Sequence, residues 1–141
     1  IMVAAAKEMA EHIRNNVPKG EPIFTGQPVF AYLSERPLYG GYTHPGWYLS
    51  ERAGYLPPEI RGVFLPDFET LITQVRQNVN WIVVDWRTND IYFKEGIDAT
   101  SLLRELLAQE FTPVVTVKNP ASRDITLYRR SVYKPAENVE N

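Results

Sequence analysis

The sequence predicts an α/β fold, a three-layer Rossmann-like open sheet that is mostly parallel. Three observations predict it. Segments with helical apolar spacing alternate with short apolar runs. One of those runs, Trp81-Ile82-Val83-Val84-Asp85, is apolar on both sides, as a strand covered on both faces requires. The last two runs are separated by a short polar turn, which predicts an antiparallel hairpin at the carboxyl end.

The elements follow in order. Ala6, Met9, Ala10, Ile13 and Val17 fall at helical spacing, with Lys7, Glu8, Glu11 and Arg14 opposite them. That helix ends near Asn15-Asn16, before Pro18 and Gly20. Pro22-Ile23-Phe24-Thr25 is a short strand, and Pro28 suits the first turn of a second helix reaching Ser34.

From Glu35 to Pro66 regular spacing is lost, and most of the chain's prolines and glycines lie between Gly20 and Pro66, with aromatic residues interleaved. This is a long aromatic loop, unusual in a compact domain unless it has a task. Order returns at Asp67, a fitting N-cap, followed by the stripe Phe68, Leu71, Ile72, Val75 and Val79. Ile91-Tyr92-Phe93 fits a short strand or a packed loop. Asp98 or Thr100 can cap a helix carrying Leu102, Leu103, Leu106 and Leu107. Pro113 to Val117 and Ile125 to Arg129 are the hairpin strands, turned through Asn119-Pro120. One domain over residues 1–134 and a polar tail over 135–141 account for the whole length.

Composition narrows the function. Fifteen basic residues against seventeen acidic ones give a net charge of −2, with no basic stripe, so no nucleic-acid partner is expected. Cysteine is absent, which removes disulfides, thiolate metal sites and a cysteine nucleophile. The opening Ile1-Met2-Val3-Ala4-Ala5-Ala6 resembles neither a signal peptide nor a membrane span. It suits a fragment of a longer protein.

No catalytic constellation emerges. Gly40-Gly41-Tyr42-Thr43-His44-Pro45-Gly46 lacks the spacing and the Lys-Ser/Thr ending of a phosphate loop. His12 and His44 make no metal motif, and no serine stands in a nucleophile elbow. No catalytic residue, metal or cofactor is therefore expected. Tyr42, His44, Trp47 and Tyr48 offer flat apolar faces with polar edges, suited to stacking on a sugar ring or to pinning the loop as a small core. Arg36 can supply a fork to an anion. Asp85 and Arg87 fall at the carboxyl end of the most apolar strand, the edge where open α/β sheets bind ligands. A turn-capping Asp85 paired with Arg87 is the simpler structural account.

Three soft motifs carry a family resemblance. They are Pro18-Lys19-Gly20-Glu21-Pro22-Ile23-Phe24-Thr25, Tyr32-Leu33-Ser34-Glu35-Arg36-Pro37 and Leu127-Tyr128-Arg129-Arg130. With the intervening strand they resemble the soluble domain of multi-spanning membrane glycosyltransferases similar to dolichyl-phosphate-mannose protein mannosyltransferases, over about residues 4–130. The resemblance implies an extracytoplasmic domain whose parent moves sugar from a polyprenyl phosphate to an acceptor. It also implies that the catalytic carboxylates lie between membrane helices, so none transfers to this chain. The expected partners are the membrane-embedded part of the parent and a sugar or polyprenyl-phosphate substrate. The rival expectation is a free-standing α/β module for a small polar or sugar ligand.

Overall fold

The computed structural model describes residues 3–41, 68–85, 99–120 and 124–133. These form α1 (Val3–Asn16), β1 (Phe24–Thr25), α2 (Pro28–Ser34), a 3-10 turn (Tyr39–Gly41), α3 (Phe68–Asn78), β2 (Trp81–Asp85), α4 (Ala99–Glu110), β3 (Phe111–Val117) and β4 (Ile125–Arg130). The long aromatic loop beyond Gly41, the run Ile91-Tyr92-Phe93, the caps Asp67 and Asp98, and the polar tail lie outside the described residues.

The class is α/β, with one four-stranded sheet ordered β1-β2-β4-β3. The sheet is mixed, which corrects the expectation of a mostly parallel one. Only β1 and β2 run parallel, whereas β2–β4 and β3–β4 are antiparallel. The reason is local. The polar turn after Val117 folds the chain straight back, so β4 enters the gap between β2 and β3. The hairpin thus makes half of the sheet and leaves β3 as an edge. Pro113 is tolerated because an edge strand needs no inward N–H there, and a register irregularity falls between Pro113 and Val115.

Alternation along the strands divides two cores. Ile82 and Val84 join Phe24, Leu71, Val75, Leu103 and Leu106 on the face covered by α3 and α4. Trp81 and Val83 join Met9, Ile13, Phe30, Ile125 and Leu127 under α1 and α2. Both faces are therefore covered, and all five residues of β2 are buried.

Turn chemistry sets the entry to β1. The Glu21 amide donates to the Pro18 carbonyl at 3.0 Å. Gly20 holds φ 89, a conformation that a side chain would disfavour. Helix α2 starts on Pro28 and ends with Glu35 in the left-handed region at φ 57. The amides of Glu35 and Arg36 then close the last turn on the Tyr32 and Ala31 carbonyls.

Arg130 joins the two halves of the chain. Its guanidinium donates to the carbonyls of Val75, Arg76 and Val79, at the end of α3, and to Asn80 Oδ1 at 3.2 Å. It also pairs with Glu110 at 3.2 Å and lies 4.8 Å from the centre of the Phe111 ring. Glu110 is shared with Arg76. Arg130→Met should lower stability by about 3 kcal/mol, because carbonyls at a helix end lose a charged donor. Arg130→Lys should lose nearly as much, since an ammonium lacks the planar fork. Denaturant titration of both variants is the check, and a silent Arg130→Lys would show that charge alone matters.

Candidate functional site

Sheet order brings several polar side chains to the carboxyl ends of β1 and β2. Thr25 pairs in register with Val83, so it shares the α1-side face with Trp81 and Val83. Asp85, two residues beyond Val83, continues that face and is buried. It is paired in the ladder with Ile125, and Ile125 with Val117. Two residues past Val117 stands Asn119, also buried, between exposed Lys118 and Pro120.

The groups around this edge are held firmly. Thr25 Oγ1 accepts the Gln27 amide at 3.2 Å, which fixes the turn leaving β1. Across the hairpin turn, Lys118 donates to Asp124 at 2.9 Å and the Asn119 amide donates to the same carboxylate at 3.3 Å. These two contacts, Lys118 first, hold the Asp124 carboxyl below the usual range. On the other face Thr116 and Thr126 share a hydroxyl contact of 3.0 Å.

The opposite edge carries a second polar group. Glu21 is 1% exposed. Its carboxylate accepts from Asn80 Nδ2 at 2.7 Å and from the Tyr133 hydroxyl at 2.6 Å. Trp81 meets Tyr133 edge-on, with ring centres 5.4 Å apart. Asn80 faces both ways, since it also accepts from Arg130. The arrangement saturates a buried carboxylate with neutral donors, a structural use. Burial, together with the bond to the Glu21 carboxylate, pushes the Tyr133 hydroxyl up to about 12.

Of the residues expected from the sequence, Asp85 sits at the predicted strand end. Arg36 lies between the ends of α1 and α2. Its Nε donates to the Val17 carbonyl at 2.9 Å, and its terminal nitrogens donate to the carbonyls of Ser34 and Arg14, both at 3.2 Å. It clasps the end of α1 to the end of α2. Tyr42, His44, Trp47, Tyr48 and Arg87 lie outside the described residues, so the structure assembles no site from them. Asn80 and Tyr133 went unnoticed in the sequence, and Glu21 entered only as a member of the first soft motif. Asn119 entered only through the Asn119-Pro120 turn signal.

Among the described residues no group of three His, Asp or Glu side chains is placed to hold a metal ion, and no helix is long and apolar enough to cross a membrane. No protein-family model matches the chain, and no curated protein or solved structure matches it.

Tyr133 yields a pH prediction with a definite sign. Its folded value, about 12, exceeds the unfolded value near 10. The folded state therefore keeps a proton that the unfolded chain releases. This contribution is intact below about pH 10 and is lost as pH rises towards 12. Alkaline unfolding followed by circular dichroism should show a steeper stability loss in that window for the native chain than for Tyr133→Phe. Equal slopes would show that the hydroxyl is solvated.

Proposed function

We propose that this chain is a non-catalytic, extracytoplasmic accessory domain of a polyprenyl-phosphate-sugar-dependent glycosyltransferase, covering a membrane-embedded site or guiding the acceptor to it. The supporting observation is what the family-like segments do in the fold. The first supplies the Gly20 turn and the buried Glu21 carboxylate. The second supplies Arg36, which ties α1 to α2. The third supplies Arg130, which closes α3 against β4. Each motif is a structural clamp, so what it would share with such enzymes is a scaffold rather than chemistry. A scaffold is what an accessory domain contributes when the reacting carboxylates belong to another part of the protein.

A second reading, a free-standing α/β module for a small polar or sugar ligand, draws on the polar strand edge at Thr25, Asp85 and Asn119. Reading-frame context separates the two. Several membrane spans encoded ahead of Ile1 support the first, and a start codon near Met2 supports the second.

Activity supplies the direct test. In the parent, removing residues 1–134 should cut transfer to acceptor by about tenfold or more, ~1.4 kcal/mol in barrier. Binding of the polyprenyl-phosphate sugar should persist. The chain alone should transfer no sugar from that donor. Turnover by the chain alone, abolished by Asp85→Asn, would overturn the accessory role.

A further inference from the structure

The hairpin end opposite Asn119 is polar and open to solvent. Thr112, Arg129 and Ser131 are all exposed there. Thr112 and Arg129 are register partners across β3 and β4, so their side chains leave one face of the sheet about 5 Å apart. The Ser131 amide donates to the Glu110 carbonyl at 2.8 Å, which carries the pairing one residue beyond β4. The hydroxyls of Thr112 and Ser131 meet at 2.7 Å.

Arg129 stands apart from the arginines that hold the fold. Arg14, Arg36, Arg76 and Arg130 each donate to a carbonyl or a carboxylate. Arg129 makes no hydrogen bond or ion pair with any described residue. The carboxylates at this end are already engaged. Glu110 serves both Arg76 and Arg130, and the buried Glu21 accepts from Asn80 and Tyr133. Arg76, Arg129 and Arg130 thus stand against two carboxylates, and Arg129 holds the unmatched charge.

We infer that Arg129 and the Thr112–Ser131 hydroxyl pair bind a phosphate monoester group on the exposed surface of the hairpin. In a hydroxyl pair one O–H is spent on the other oxygen, and the second is left to donate outward. A guanidinium fork takes two oxygens of a phosphate, and the outward hydroxyl takes a third. A monoester offers three terminal oxygens and nearly two negative charges at neutral pH. A diester offers two oxygens and one charge, so it fills the donor set less well. The Arg129 side chain is long and unrestrained, so its fork can close over a phosphate seated on the hydroxyls one strand away. Soluble phosphate esters and a phosphomonoester lipid headgroup share this chemistry. The site goes beyond the accessory-domain reading and does not rest on it.

The test follows the Arg129 Nε–H and the Thr112 and Ser131 amides by NMR in the whole chain at fixed ionic strength. The soluble probes are glycerol phosphate and dimethyl phosphate. Co-sedimentation with phosphatidylcholine vesicles carrying phosphatidic acid or phosphatidylglycerol supplies the lipid arm. The expected result is saturable binding of a monoester, in solution or on vesicles, in clear preference to the matching diester. A response to glycerol phosphate alone assigns a soluble ester, and one to phosphatidic acid alone assigns a lipid headgroup. Arg129→Met should weaken monoester binding about tenfold or more. Thr112→Val should weaken it less. Both variants should keep the native melting temperature, because the side chains are exposed. No response to either monoester, equal response to the diesters, or undiminished binding by Arg129→Met would overturn the site. None of these results bears on sugar transfer by the truncated parent, so this site and the accessory role fail separately.

Discussion

The fold depends on a chain of hydrogen bonds that runs from Arg130 through Asn80 to Glu21 and Tyr133. Arg130 is the last residue of β4, and its fork reaches back to the carbonyls that end α3. Asn80 accepts from that fork and donates to Glu21, whose second oxygen receives the Tyr133 hydroxyl. Three segments far apart in sequence, around Glu21, around Asn80 and from Arg130 to Tyr133, are thereby registered to one another at the amino-terminal edge of β2. A carboxylate as deeply buried as Glu21 is tolerable only with such partners. Hydrophobic burial supplies most of the driving force, but it is not directional. The polar chain fixes which strand lies where.

This division of labour explains the mixed sheet. The right-handed crossover rule governs β1 and β2, which are parallel and joined through helices. Nothing in that rule places β4 beside β2. Apolar pairing of Leu127 with Val83 and the Arg130 fork on α3 do so together. The antiparallel half of the sheet follows from what α3 and β2 need at their ends.

Much of the framework was legible in sequence. The Met9, Ile13 and Val17 stripe, the Leu103 and Leu106 pair and the Trp81-to-Val84 run all lie in the cores their spacing indicated. Periodicity reports burial, and burial is what those residues undergo. Strand order was not legible, because a hairpin can join a sheet at either flank with the same local pattern. The polar clamps were hidden for a different reason. Glu21 and Asn80 are 59 residues apart, and Glu21 and Tyr133 are 112 apart. No local spacing marks such a pair. Arg36 was equally unreadable from local spacing, since the carbonyls it binds belong to the ends of α1 and α2. Asn119 was visible only as a turn residue, and its burial depends on the face that the finished sheet assigns to it.

Native-state hydrogen exchange on Glu21→Gln tests most directly whether the polar chain is one unit. The substitution keeps the shape of the side chain and removes its charge. If Asn80 transmits the effect, protection should fall together at the β1–β2 pairing, at the last turn of α3 and at the carboxyl end of β4. Protection lost only around Gly20 and Ile23, with α3 and β4 unchanged, would show that Glu21 and Arg130 act separately and would contradict the account.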